Sequence, residues 1–179
     1  MIPTQTTFSD SIVAHEMSPK ALSTNVGVFM ERPSINFPAV LVSAGIMFFF
    51  GWVWYTVFAD IWMAGTGVTE QVMMSLSGAQ MAMAYGGSIV AYVLVFYIMA
   101  HVIAWSGSTT AQQGAMVGFY MWVGFVASSL FVVYNYAMRP MTLFFLDGLY
   151  WMISMVIGGI VLAVWRKSGE TSAKDGVAT

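Results

Sequence analysis

The sequence predicts an all-α membrane protein with four transmembrane helices in an antiparallel bundle and both termini in the cytoplasm. Of its 179 residues, 59% are hydrophobic and only 8% are charged. A soluble domain carries about 25% charged residues, so this chain has too few charges to cover a water-facing surface. Four apolar stretches each reach the length of about 20 residues that crosses the hydrocarbon core. Because lipid offers the backbone no hydrogen-bond partners, these stretches are expected to be helices.

The four predicted transmembrane helices contain almost no charge. The first and third contain none, the second contains only His101, and the fourth contains only Asp147. Pro38 and Pro140 stand at helix starts, where a missing N–H costs little. Short connections follow the second and third helices, so sequential helices are expected to be antiparallel neighbours. The predicted ranges are 38–59, 81–105, 114–136 and 141–165.

The second helix has an alternative start. Thr69 could cap a helix that begins at Glu70, because an acidic residue suits the first helical turn. A helix over residues 70–105 is longer than one bilayer crossing at about 1.5 Å per residue. This interpretation therefore requires a tilt, a projection beyond the lipid, or a kink near Gly86 and Gly87.

The basic residues predict the orientation of the chain in the cell inner (plasma) membrane. With both termini in the cytoplasm, five of the six lie inside and Arg139 alone lies outside, as the excess of cytoplasmic Lys and Arg requires. The first loop, residues 60–80, contains Asp60 and Glu70 and no basic residue. The six are Lys20, Arg32, Arg139, Arg166, Lys167 and Lys174.

Two polar tails flank the predicted membrane domain of residues 37–166. They cover residues 1–36 and 167–179. The first apolar run begins near Phe37 and is too long for a cleaved signal peptide, so it is expected to remain as a signal anchor. The N-terminal tail has two interpretations, a segment that docks a partner or a segment without fixed structure.

Several classes of function are disfavoured by composition. The chain has no cysteine, which excludes disulfides, thiolate metal sites and cysteine nucleophiles. The net charge of −2 argues against a nucleic-acid partner. His101 could ligate a metal or haem, but a site needs more ligands, so a histidine bonded to a headgroup or a backbone carbonyl is the simpler interpretation. We predict no cofactor, no metal and no enzymatic activity.

Asp147 is the candidate functional residue, because an ionisable group inside an apolar span is costly. It lies seven residues beyond Pro140, about 10 Å along the helix. Residues at matching depth on the other helices are Ser128, Ser129, Tyr85, Ser88, Tyr55 and Gly51. One interpretation is a carboxylate that handles a proton or cation in a small cavity. The other is a neutral or hydrogen-bonded side chain that ties helices together.

Small residues at four-residue spacing predict close helix packing. Gly114 and Gly118 form a GxxxG pattern in the third helix, and Gly78, Ala82 and Gly86 repeat the spacing near the second. Such faces allow helix backbones to approach closely. Packing within the chain and packing in a dimer are both compatible with this pattern.

Aromatic residues are dense near the end of the first helix, between Gly51 and Tyr55. An interfacial aromatic belt is one interpretation of this run. A cage for an organic cation is the other.

The order of several short motifs resembles a known family. The first helix ends with G-x-x-W-Y, and a tryptophan follows shortly after it. The motif residues are Gly51, Trp54, Tyr55, Trp62, Ala91–Leu94, Gly114, Gly118, Trp122–Phe125, Arg139, Pro140, Leu143, Phe144, Asp147–Tyr150, Gly158, Gly159, Trp165 and Arg166. Over about residues 36–166 the chain resembles the small bacterial membrane-protein family called domain of unknown function 1761. The resemblance implies four membrane helices and no stated activity. The chain departs from the family at Thr56–Ala59, where a proline and a Phe-Gly pair are common.

Three functional hypotheses follow. The first is a non-catalytic accessory or scaffold component of a membrane complex, whose partners are the lipid bilayer and either a second copy or another subunit. The second is a small oligomeric transporter or channel that uses Asp147. The sequence shows no broken helices or inverted repeats of the kind common in transporters, which ranks it second. The third, a membrane enzyme, needs catalytic groups that the sequence does not offer.

Overall fold

The computed structural model describes residues 34–166, and every regular element in this range is a helix. The helices are α1 Phe37–Val57, α2 Ala59–Thr66, α3 Glu70–Met74, α4 Gly78–Trp105, α5 Ala111–Tyr136 and α6 Met141–Val164. Within α5 the segment Trp122–Ala127 has π-helical hydrogen bonding. The predicted C-terminal tail and residues 1–33 of the predicted N-terminal tail lie outside the described residues.

Four of these helices, α1, α4, α5 and α6, are long and apolar enough to cross a membrane. They correspond to the four predicted segments, with ends that differ by a few residues. Both α4 and α5 begin three residues earlier than predicted, because polar capping boxes start them ahead of the apolar run. Ser77 pairs with Gln80 at the start of α4, and Thr110 pairs with Gln113 at the start of α5.

The continuous helix from Glu70 to residue 105 is wrong, although its first turn forms. The Thr69 hydroxyl accepts a hydrogen bond from the Val72 N–H and caps α3, which ends at Met74. Ser77 then caps a separate helix. Serine side chains that bond to nearby backbone groups compete with helix propagation, which explains the break between α3 and α4.

The helix α6 lies at the centre of the packing. It is the most buried of the four long helices, and α1, α4 and α5 all pack against it. The helices α1 and α4 also pack against each other, whereas α5 is the most exposed and contacts α4 only through its first segment, Ala111–Met121. The largest fully buried side chains include Tyr150, Phe96, Met47, Met99 and Ile103.

The helices α5 and α6 touch backbone to backbone. A Cβ atom placed on Gly114 would lie 2.2 Å from the Gly159 carbonyl oxygen, and one placed on Gly118 would lie 2.2 Å from the Met155 carbonyl oxygen. Real Cβ atoms do not approach this closely, so only glycine fits at either position. Gly114 and Gly118 are therefore packing residues within the chain.

The third residue of the predicted packing set, Gly86, does not serve this role inside the chain. It is exposed, and a Cβ atom placed on it would meet nothing within 4 Å. Gly78 is open in the same way. The buried residues of α4 are Phe96, Met99, Ala100 and Ile103, all in its second half. The first half of α4 is therefore largely uncovered.

Candidate functional site

Asp147 lies in the second turn of α6 with 6% of its surface exposed. Its two carboxylate oxygens each accept one hydrogen bond from a tyrosine. The Tyr55 hydroxyl of α1 donates to Oδ1 at 2.8 Å, and the Tyr134 hydroxyl of α5 donates to Oδ2 at 2.5 Å. The carboxylate therefore joins three of the four long helices.

The contact from Tyr134 is shorter than the contact from Tyr55. Hydrogen bonds from a hydroxyl to a carboxylate are typically about 2.5–2.7 Å long and stronger than bonds between neutral groups. A carboxylate is an acceptor at both oxygens, so it can receive both phenols at once. Arg139, the basic residue nearest to Asp147 in the sequence, instead donates to the backbone carbonyl of Thr66 at 2.6 Å.

A second group of hydroxyls lies beside the carboxylate, toward the middle of the bundle. The Tyr150 hydroxyl of α6 lies 3.2 Å from the Met47 carbonyl oxygen of α1 and 3.2 Å from the Tyr92 hydroxyl of α4. The rings of Tyr150 and Tyr55 pack with centroids 5.2 Å apart. Together the two groups connect polar atoms from all four long helices.

The neighbouring residue of α6 provides another link to α5. The Trp122 indole N–H donates to the Gly148 carbonyl oxygen at 2.9 Å. Trp122 is the first residue of the π-helical segment, and Gly148 directly follows Asp147. Hydrogen bonds from Tyr134 and Trp122 thus hold α5 on α6 at two adjacent residues, Asp147 and Gly148.

The short helix α2 covers this end of α6. Gly65 packs against Leu143, and the Arg139 guanidinium donates to the carbonyls of Gly65 and Thr66 at the end of α2. Trp62 packs edge-on against the ring of Tyr55, with centroids 6.2 Å apart. A basic side chain at a helix C-terminus is favourable because the last carbonyls carry partial negative charge.

Of the candidates at matching depth, the structure brings Tyr55 to Asp147. Ser128 is exposed and donates to the Gly124 carbonyl of its own helix, and Ser129 is exposed. Tyr85 is 56% exposed and its ring lies against Phe48. These three candidates do not join the carboxylate, because matching Cα depths ignores the direction in which each helix turns its side chains.

Tyr134 was not among the residues predicted at matching depth, although its hydroxyl makes the shorter of the two hydrogen bonds to Asp147. It lies in the last turn of α5, above the depth of Asp147, and its long side chain reaches down to the carboxylate. The sequence signal that could have identified it is the length of a tyrosine side chain, which places the hydroxyl more than a helical turn from the Cα.

The comparisons with known proteins identify a family. The family model described as protein of unknown function (DUF1761) matches residues 38–163. The chain belongs to the DUF1761 family. The resemblance found from the sequence motifs is therefore confirmed, and the matched range contains Tyr55, Tyr134 and Asp147. No curated protein and no solved structure matches the chain.

In this DUF1761 member the His101 imidazole contacts a backbone carbonyl of its own helix. Its Nδ1 lies 2.9 Å from the Tyr97 carbonyl oxygen, and its ring packs between those of Tyr97 and Trp105. Within residues 34–166, no three His, Cys, Asp or Glu side chains lie together as a group that could hold a metal ion.

Proposed function

We propose that this protein is a non-catalytic accessory or scaffold component of a membrane complex. The observation that carries this proposal is the hydrogen bonding of the Asp147 carboxylate. Both carboxylate oxygens accept hydrogen bonds from tyrosines on neighbouring helices, so the one acidic side chain of the apolar spans is engaged in holding the bundle together. In lipid, hydrogen bonds between helices contribute about 1 kcal/mol each.

The uncovered half of α4 supports an accessory role. Gly78 and Gly86 share one face and have open space beside them. In a membrane, small residues of this kind allow a further helix to approach closely. We propose that this face receives a helix of another subunit.

The proposed arrangement in the membrane is an antiparallel bundle with both termini in the cytoplasm, in the cell inner (plasma) membrane. Pairs such as Gly114 with Gly159 and Trp122 with Gly148 run in opposite directions along α5 and α6, which supports antiparallel packing. The Asn36 amide donates to the Trp165 carbonyl at 2.7 Å, which supports placing both ends of the membrane domain on one side. The basic residues near the tails favour the cytoplasm for that side.

Purification of the tagged full chain in nanodiscs, followed by mass spectrometry of the proteins that accompany it, tests the accessory role. We expect a partner in fixed stoichiometry. Gly86→Leu should release this partner because the side chain fills the open face, whereas Gly45→Leu should retain it. Gly45 is a matched control because it is also exposed and has nothing within 4 Å of its Cβ position.

A homo-oligomer without a partner would contradict the accessory role. Release by Gly45→Leu as strong as release by Gly86→Leu would place the binding face elsewhere. Both outcomes are read from the protein composition of the purified nanodiscs, so the test requires no known activity.

A small oligomeric transporter or channel is the second candidate. The observation that favours it is a buried carboxylate next to a partly exposed tyrosine near one end of the bundle. Four helices enclose little space, so a path would require more than one copy. Flux measured in proteoliposomes should then be lost in Asp147→Asn while insertion persists. Unchanged flux in that variant would contradict a transport role for Asp147.

A further inference from the structure

We infer that the second half of α5, Ser128–Tyr136, is a movable arm, which hinges at the π-helical segment and is held on α6 by the hydrogen bond from Tyr134 to Asp147. The inference concerns a conformational device within the chain and does not depend on the accessory role. It starts from a contrast between the two halves of α5.

The first half of α5, Ala111–Met121, is fixed on α6. Gly114 and Gly118 are its buried residues, and each lies against a backbone carbonyl of α6. Close contact between two backbones fixes the separation of the helices. This half is therefore the stationary part of α5.

The arm is attached more loosely. It has no buried residue, and within it only Leu130 and Tyr134 are partly buried. The Tyr134 hydroxyl donates to α6, and Phe131 adds a ring contact with Phe144, with centroids 5.9 Å apart. Segments with few buried apolar contacts are the first to open in a folded protein. The hydrogen bond from Tyr134 is therefore the main polar link that keeps the arm in place.

The direction in which the arm faces depends on the turn of the helix before it. A row of buried or partly buried residues follows α5 at every fourth position, namely Gly114, Gly118, Trp122, Val126, Leu130 and Tyr134. Four residues turn an α-helix by about 400°, so each step along this row drifts by about 40°. Three such steps would place Tyr134 about 120° away from the direction of Trp122. An uninterrupted α-helix would therefore point Tyr134 away from α6.

The π-helical segment Trp122–Ala127 corrects this drift. A π turn closes its hydrogen bond over one residue more than an α turn, so it turns the helix that follows back by about 100°. Tyr134 then lies within about 20° of the direction of Trp122. Both side chains do reach α6, because Trp122 donates to Gly148 and Tyr134 donates to Asp147. The π turn therefore brings Tyr134 to the carboxylate.

The π turn and the tyrosine hydrogen bond support each other. Hydrogen bonding of the π type is rare and occurs mostly as single turns inside α-helices, so other contacts must favour it. Without the bond from Tyr134, the segment can return to α-helical hydrogen bonding, and the arm then turns by about 100°. The exposed residues 137–140 lie outside the helices and can follow this rotation. In the open position, Oδ2 of Asp147 has lost its tyrosine donor.

Double electron–electron resonance on the purified full chain in nanodiscs tests this inference. The chain has no cysteine, so spin labels attach only to introduced cysteines. One label is placed on the arm by Val133→Cys. The second label is placed in turn on α1 by Val57→Cys and on α4 by Leu94→Cys, and all three positions are exposed. Two reference positions ensure that a rotation of the arm changes at least one distance.

Tyr134→Phe should add a second distance, displaced by up to about 8 Å, because a side chain about 5 Å from the helix axis turns by about 100°. Tyr55→Phe is the matched control. It removes the hydrogen bond to the other oxygen of Asp147 and should keep the single distance of the wild type. A label in the first half of α5, placed by Tyr120→Cys at an exposed position, should keep its distances in Tyr134→Phe.

Deletion of Gly124 separates the π turn from the tyrosine hydrogen bond. Gly124 is exposed, and its loss removes the extra residue, so an α-helical segment still places Tyr134 about 20° from Trp122. In this background Tyr134→Phe should leave the distances unchanged. Deletion of the exposed Val123 removes one residue from the same segment and provides a second variant in case the first does not fold.

Distances in Tyr134→Phe that equal those of the wild type would overturn the movable arm. An equal displacement in the deletion background would overturn the role of the π turn. A displacement in Tyr55→Phe as large as that in Tyr134→Phe would overturn the assignment of the holding contact to Tyr134. A displacement of the label at position 120 would contradict the stationary first half.

Discussion

Gly114 of α5 and Gly159 of α6 face each other through their backbones. A Cβ atom on either glycine would lie 2.2 Å from the carbonyl oxygen of the other. This reciprocal contact sets the separation of the two helices at the end of the bundle that carries Trp165. The carboxylate cluster and the Trp122–Gly148 bond join the same two helices closer to the opposite end.

Gly114→Ala is expected to destabilise the protein, because the added methyl must push two backbones apart. Overpacking of this kind costs about 1–3 kcal/mol. Thermal or denaturant unfolding in detergent micelles measures the loss. Gly45→Ala is the control, because its Cβ position is open and its stability should stay within about 0.5 kcal/mol of the wild type. Equal stability of the two variants would contradict the close contact.

Asp147→Asn is expected to reduce the free energy of unfolding by about 1–3 kcal/mol, because the amide nitrogen cannot accept the second phenol hydrogen. The same measurement on Asp60→Asn provides the control, since Asp60 is exposed and should change little. A loss in Asp60→Asn as large as that in Asp147→Asn would show that charge alone, rather than the tyrosine bonds, determines stability.

Trp122→Phe is expected to lower stability by about 1 kcal/mol, because the Gly148 carbonyl loses the indole N–H that it accepts. Trp52→Phe makes a matched comparison, because Trp52 is 61% exposed. Chemical unfolding followed by far-ultraviolet circular dichroism reports both variants. An unchanged midpoint for Trp122→Phe would indicate that this hydrogen bond contributes nothing to the packing of α5 on α6.

Arg139→Gln is expected to loosen α2, because the guanidinium that binds its terminal carbonyls is shortened and neutralised. Hydrogen exchange should be about tenfold faster in residues 62–67, which corresponds to the loss of one charged hydrogen bond. Arg139→Lys keeps the charge and should show a smaller increase. Exchange unchanged in the glutamine variant would show that α2 is held by its packing contacts, such as Gly65 with Leu143 and Trp62 with Tyr55, without the guanidinium.

Met138→Gly is expected to raise the free energy of unfolding by about 1 kcal/mol. Met138 has a positive φ of 52°, a left-handed conformation that costs a residue with a Cβ atom about 1–2 kcal/mol. Its side chain is 92% exposed, so little packing is lost. Ala137→Gly should give no gain, because Ala137 has a φ of −80°. A lower melting temperature for Met138→Gly would contradict this expectation.

The buried cluster was partly predictable from the sequence. Asp147 stands out because it is the single acidic residue in four apolar spans, and Tyr55 follows from matching depths on α1. Tyr134 does not follow from matching Cα depths, because its hydroxyl donates to Asp147 far from its own Cα. The serine candidates failed for a related reason. In α5 the Ser128 hydroxyl bonds its own helix at the Gly124 carbonyl, which satisfies it without a partner.

Apolar length and sparse charge were enough to predict four long helices, because both are local properties of the sequence. The order and spacing of the short motifs were enough to predict the family to which the chain belongs. The tertiary structure alone decided which residues meet. Gly114 and Gly86 carry the same small-residue signal, yet one touches a backbone and the other faces open space. The physical reason is that helix rotation, tilt and side-chain reach determine contacts, and each depends on the packing of all four helices together.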